Sequence, residues 1–252
     1  MICNIKGRDG TGAARLGYNG CMPVVKIDRS HPMRANELTS IAQVLRAFLS
    51  FGSPRVMIAA IAVLGFARLG LGGLGWFDLF LALLVVLLAG PVEWVIHKTL
   101  LHAPDDSLRM RRLKTGTGHR QHHLDPHDVG WALLGWMDAA IFIVLLAAFA
   151  ATWTVPLALI GGVGVVNAWM TAWVMSVAGL AHYEWTHLLI HTRYRPKTRF
   201  YRRLAANHRL HHYRNEHYWL GVTSNLGDRV LQTLPADKSD VPLSQTARNL
   251  DD

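Results

Sequence analysis

Thirteen of the fourteen histidines in this 252-residue sequence lie between positions 97 and 217, and ten of them fall into four groups. "HKTLLH" contains His97 and His102, and "HRQHH" contains His119, His122 and His123. "HLLIH" contains His187 and His191, and "HRLHH" contains His208, His211 and His212. Along an α-helix, steps of three and four residues return to nearly the same face. Each His-x-x-His-His therefore projects three imidazoles to one side, and His187 with His191 projects two. His97 and His102 are about 140° apart on an ideal helix. They converge only if a helix ends at His97 and the chain turns, with Pro104 discouraging further helix.

Neutral imidazole is a good ligand for iron, copper, nickel and zinc. Ten nitrogens are too many for one ion. Divided between two ions they give about five each and leave a position open on both, as an O2-activating iron pair requires. A non-catalytic zinc-binding membrane protein is the competing reading, but zinc prefers four ligands, so ten histidines argue against it. Ligating histidines commonly pass their other ring proton to a carboxylate or carbonyl. Glu93, four residues before His97, and Glu184, three before His187, are candidates for that role. His182 points away from the face of His187 and His191, while His127, His217 and His31 lie outside the helical patterns; none joins the ligand set. Asp138 is expected about 10 Å deep within a span, as a partner inside the bundle. Asp228 is expected only to cap a helix or pair with Arg229, and Asn167 to bridge helices.

The elements that must position these groups are apolar. The chain is 51% hydrophobic and 17% charged, with a net charge of +9 confined to a few segments. That division is typical of a multi-span membrane protein, and it argues against nucleic-acid binding, which would need a soluble basic chain. Residues 41–51 form an amphipathic stretch suited to a membrane surface or to the start of the first span. Four spans are predicted, near 56–74, 76–96, 131–153 and 156–181. The last two are joined by a tight turn just before Pro156. The fold class is therefore all-α, an integral membrane bundle of about four transmembrane helices with a histidine-rich helical cap.

Lys98, Arg109, Arg111, Arg112, Lys114 and Arg120 place the 97–130 segment in the cytoplasm by the positive-inside rule, together with both termini and every histidine group. Residues 1–35 read as a flexible tail, 36–235 as the membrane domain and 236–252 as a second tail. Cys3 and Cys21 sit in the first tail and support neither a disulfide framework nor a thiolate metal site.

In order and spacing, "HKTLLH", "HRQHH", "HLLIH" and "HRLHHYRNEHYWLGVTS" resemble the histidine boxes of the fatty acid hydroxylase and sterol desaturase superfamily, over roughly residues 75–235. The final box running into "GVTS" looks most like the fatty acid 2-hydroxylases. The resemblance implies a bound metal pair, two iron ions, held by the ten histidines, and O2-dependent C–H oxidation of a lipid chain. Desaturation by the same metal pair is the close alternative. "RFYRRLAANHRLHH" also looks like the carotenoid ring hydroxylases, but those space the preceding pair five apart, whereas His187 and His191 are four apart. No heme-binding "HPGG" occurs, so the electrons are expected from a separate donor, a ferredoxin or a cytochrome b5-like protein with its reductase. Arginines and lysines near the boxes could hold that donor or a lipid headgroup.

Overall fold

Residues 71–75 form one of two short turns that fix the topology. Gly72 and Gly73 adopt φ of +67° and +62° there, a region that glycine enters without a Cβ penalty. The turn follows α2 (Gly52–Gly70) and leads into α3 (Trp76–Ile96), so the two helices run antiparallel. In the computed structural model, the described residues are 33–104, 107 and 116–244. All of them belong to one unit, Pro32–Asp252. Cys3, Cys21, His31, Arg109, Arg111, Arg112 and Lys114 lie outside the described residues, as does most of the expected amino-terminal tail.

The described residues are helical and contain no strand. Helix α1 (Ile41–Ser50) opens with a reciprocal cap between Ser40 and Gln43, which satisfies two otherwise orphaned backbone donors. It buries Val44, Ala47 and Phe48 and exposes Ile41, Leu45 and Leu49. Beyond α3 come two short helices, α4 (Thr117–Leu124) and α5 (Val129–Ala132), then the long α6 (Trp136–Ile160) and α7 (Val165–His191). Helices α8 (Arg199–Tyr213) and α9 (Leu226–Val230) complete the histidine-bearing end.

Three helical stretches among the described residues are long and apolar enough to cross a membrane: Gly52–Gly70, Trp76–Leu101 and Val129–Ile160. Their outer faces expose Phe66, Leu83, Val86, Leu87, Val144 and Leu145, side chains that would be costly in water but suit hydrocarbon. The expected fourth span lies on α7. Helix α7 has 27 residues, but Asn167, Thr171, Ser176, His182 and Glu184 dilute its hydropathy. It packs centrally against α2, α3 and α6, so its neighbours are mostly protein.

The hairpin of α6 with α7 matches expectation, but its turn lies elsewhere. Pro156 is inside α6, and the reversal occurs at 161–164, where Gly162 has φ of +63°. Proline costs the helix one hydrogen bond; apolar packing of Ala158 with Leu81 and Ala168 carries the helix past it. Asp138 is also corrected. Because α6 starts at Trp136, Asp138 is in its first turn and exposed, not deep in the bundle.

Packing reaches past both expected domain limits. Arg34 pairs with Asp125 at 2.6 Å, and Ala35 is fully buried. At the other end Arg214 donates to the Val241 carbonyl at 2.7 Å, and Val241 is buried. At the far end of the bundle, Arg68 is buried against α3 and α7. It bonds Asp78 at 2.6 Å and Thr171 at 2.8 Å, so the charge is compensated inside the bundle. Asn167 donates to the Gly72 carbonyl at 3.2 Å and bridges α7 to the α2–α3 turn.

Candidate metal centre

Helices α3 and α7 end side by side with histidines at their carboxy-terminal ends, and α4 and α8 close over them. The ten predicted histidines form two groups of five. His97, His102, His119, His123 and His211 make the first, and His122, His187, His191, His208 and His212 the second. In each group the ligand atoms lie within 4.8 Å of one another.

The two groups are built to the same plan. Each takes a pair from the end of a long helix, an i, i+4 pair from one short helix and the i+3 residue of the other. His119 and His123 of α4 join the first group while His122 joins the second; His208 and His212 of α8 join the second while His211 joins the first. The i+3 and i+4 positions point about 100° apart on a helix, so one helix lying between two centres serves both. The expectation that each His-x-x-His-His presents a single side is corrected accordingly.

The five-residue spacing of His97 and His102 has its own device. The span does not end at His97 but continues through a π-helical turn, His97–Leu101, closed by the His102 amide on the His97 carbonyl at 3.0 Å. An i to i+5 turn accommodates one residue more than an α turn, so the two rings stack 5.0 Å apart. His187 and His191, four apart, meet without it.

Within the first group the Nε2 atoms of His97 and His119 are 3.0 Å apart, those of His102 and His119 3.0 Å, those of His102 and His211 3.2 Å and those of His119 and His123 3.1 Å. In the second, Nε2 separations are 3.0 Å for His122 and His191, 2.9 Å for His191 and His208 and 3.0 Å for His208 and His212. Two nitrogens about 2.1 Å from a common ion and about 90° apart are separated by about 3.0 Å; tetrahedral angles would give about 3.4 Å. The spacing therefore fits adjacent positions of an octahedron-like shell. Buried His187 Nε2 has no hydrogen-bond partner, an unsatisfied lone pair of the kind a metal would satisfy.

Three rings are oriented by carbonyls. His97 Nδ1 lies 2.6 Å from the Leu220 oxygen, His187 Nδ1 2.9 Å from that of Ala132 and His211 Nδ1 2.9 Å from that of Tyr218. A carbonyl only accepts, so Nδ1 carries the proton and Nε2 offers its lone pair. Burial pushes the imidazoles of His119, His122, His208, His211 and His212 well below the ordinary 6.5, so they are neutral and ligand-competent at physiological pH.

Glu93 and Glu184 do not touch the histidine rings, contrary to their expected role. Glu93 accepts from the backbone of Val222 and Thr223 and from the Thr223 hydroxyl. Glu184 accepts from the Leu134 amide at 2.6 Å and the Ser53 hydroxyl at 2.8 Å. Each thus holds the amide two residues after the carbonyl that orients the histidine one turn further along its own helix. Asp228, expected to do no more than cap or pair, is fully buried. It accepts from the amides of Leu220 at 2.9 Å and Gly221 at 2.8 Å and from Thr233 at 2.6 Å. Burial raises its carboxyl above the ordinary carboxylate value, against the pull of these hydrogen bonds. Gly221 is required beside it, because a Cβ there would meet the Ser224 carbonyl at 2.1 Å.

Among the described residues, the excluded His127, His182 and His217 stay outside both groups. His182 contacts Tyr201 and Thr186, each at 3.3 Å, and His217 lies 3.3 Å from Lys98 Nζ. The His127 carbonyl accepts from the Ala35 amide at 2.7 Å.

The fatty acid hydroxylase family model matches residues 82–233, more than half of the chain and all ten clustered histidines. The chain belongs to the fatty acid hydroxylase family. Among solved structures, full-length Scs7p, with only its hydroxylase domain visible, is similar at 22% identity and a TM-score of 0.49, covering 82% of this chain and 70% of that one. No curated protein matches. Membership makes this a membrane lipid hydroxylase, and the region shared with the fatty acid hydroxylase family also contains Glu93, Glu184 and Asp228.

Proposed function

We propose that the chain is a non-heme di-iron monooxygenase that hydroxylates an aliphatic lipid, a fatty acyl chain, with O2. The observation that carries this reading is the pair of five-nitrogen groups, with neighbouring Nε2 atoms 2.9–3.2 Å apart, at the end of membrane-spanning helices. That spacing favours iron, which accepts octahedral-like shells, over tetrahedral zinc. Five nitrogens would leave one position of each shell for O2 or a water-derived ligand. Bound iron would supply O2 activation and oxidation of an unactivated C–H bond. The balance is R–H plus O2, two electrons and two protons giving R–OH and water. The electrons would come from a separate donor, a ferredoxin or a cytochrome b5-like protein with its reductase.

The chain's own residues would perform the rest. The carbonyls of Leu220, Ala132 and Tyr218 fix the tautomers of three ligands, and Glu93, Glu184 and Asp228 hold the loops bearing the first two of those carbonyls. Burial of the imidazoles keeps them unprotonated and excludes bulk water. The positive-inside rule supports a cytoplasmic centre, where a soluble donor has access.

The test combines metal analysis of anaerobically purified protein with mass spectrometry of host lipids in the presence and absence of the gene. About two irons per chain and a lipid gaining one oxygen are expected. Stoichiometric zinc with no O2 uptake in an intact, electron-supplied preparation would overturn the proposal.

A further inference from the structure

A cavity of about 510 Å³ opens beside α8, lined in part by Arg199, Phe200, Arg203, Ser224, Asn225 and Arg229. It lies within the size range of small-ligand sites. Arg199 and Arg203 are four apart on α8 and therefore share a face. Arg229 comes from α9. Among the described residues no carboxylate pairs with any of these three guanidinium groups, and none of the lining residues is acidic.

The neutral polar groups of the wall are also left as donors. The Ser224 oxygen accepts from the Leu226 amide at 3.1 Å, and its hydroxyl hydrogen is available to donate. Asn225 Oδ1 accepts from Asn207 Nδ2 at 3.2 Å, which leaves the Asn225 amide hydrogens. Three cations and two neutral donors around one concavity form a receptor for an anion with several acceptor oxygens. Like charges held together repel, and a bound anion relieves that repulsion.

The surroundings point to the anion's source. Phe200 is 53% exposed and Val230 66%, so apolar side chains flank the arginines. Gly227 of α9 packs on Trp94 and Gly90 of α3, and Ser224 also lies against Gly90. The cavity therefore adjoins the end of a membrane-spanning helix, where headgroups lie. Asn207, which braces Asn225, immediately precedes His208, so the cavity is tied directly to the last histidine group.

We propose that this cavity binds the phosphate of a membrane lipid headgroup, seating that lipid beside the metal centre. The role of the seated lipid rests on the hydroxylase reading; its binding does not, because neither the arginines nor the donors are metal ligands. A concave site bordered by apolar side chains and a spanning helix suits a lipid better than an acidic protein, which would need a broad exposed face.

The test is native mass spectrometry of the full chain in an uncharged detergent with added phosphatidylglycerol, with metal content measured in parallel. Wild type is expected to retain one lipid per chain. At about fivefold per basic residue, R199Q/R203Q/R229Q should weaken retention roughly a hundredfold and R229Q alone about fivefold, with metal content unchanged in both. Unchanged retention in the triple variant would overturn the proposal. If the triple variant loses metal, the single variant decides: full retention there overturns it. Displacement of the lipid by millimolar inorganic phosphate would reassign the cavity to free phosphate. Intact lipid retention with slowed reduction by an acidic donor protein would reassign it to donor docking. Loss of retention in a variant whose protein never hydroxylates lipid would leave the binding site standing and remove only the hydroxylase reading.

Discussion

His123 and His212 stack with ring centroids 4.1 Å apart and planes 21° from parallel, and each belongs to a different group of five. His123 comes from α4 and His212 from α8, and each is the i+4 member of its own His-x-x-His-His. The stack joins the two candidate ion sites back to back. It also explains why α4 and α8 contribute to both: each helix lies across the boundary, so one turn of it faces two centres.

The grouping makes the two metals separable by mutation. His97→Ala removes a ligand of the first group only and should lower metal content from about two ions to about one, and His187→Ala should do the same at the second. His217→Ala should leave both ions. Elemental analysis of the three variants checks this; loss of metal in His217→Ala with retention in His97→Ala would overturn the assignment.

Glu93 and Glu184 should behave as a matched pair. Alanine at either leaves a backbone amide without its carboxylate acceptor, at a cost of about 1–3 kcal/mol. It also frees the carbonyl that orients His97 or His187, which should weaken metal binding by roughly 10–100-fold. Glu93→Gln, which keeps an acceptor oxygen, should recover most of the affinity. Chelator competition on the purified variants reads both effects, and metal affinity unchanged in both alanine variants would show that loop and ligand are uncoupled.

The clasp at the opposite end should affect stability alone. Arg68→Met leaves Asp78 and Thr171 without their buried cation, a loss of about 3–5 kcal/mol. Metal content in the surviving folded fraction should match wild type, because the clasp and the histidines occupy opposite ends of the bundle. Thermal unfolding in detergent, followed by metal analysis, separates the two quantities.

Acid should destabilise the metal-free protein. His119, His122, His208, His211 and His212 titrate well below 6.5 in the fold because they are buried, whereas in the unfolded chain they titrate near 6.5. Below about pH 6.5 the unfolded state binds more protons, so unfolding becomes easier as pH falls, and the stabilisation is complete only above that value. Denaturant unfolding of chelated protein between neutral and mildly acidic pH should show a falling midpoint. A midpoint independent of pH would contradict the burial of these rings.

That these ten histidines would cluster was legible because helical periodicity is a local property: residues three and four apart meet on any helix. Their division into two fives was not, because it depends on how four helices converge, and no spacing within α4 reveals that His122 serves a different centre from His119. The five-residue gap between His97 and His102 signalled a departure from α-helix, but only the fold decided that it is absorbed by a π turn. Glu93 and Glu184 were found by proximity along a helix, while their partners, 129 and 50 positions away, belong to loops.

Apolar composition by itself determined a helical membrane protein, since a chain this poor in charge must satisfy its backbone internally within hydrocarbon. Tertiary structure decided where the turns fall and what the polar residues in the bundle do. Pro156 stays in α6 because packing outweighs one lost hydrogen bond, and α7 tolerates its polar residues because protein surrounds it. Arg68 is buried because Asp78 and Thr171 compensate its charge and hydrogen bonds, and Asp228, read from sequence as incidental, because the 220–233 segment folds its own amides and Thr233 back onto the carboxylate. Sequence fixes which groups can bond; only the converged fold brings the partners within reach.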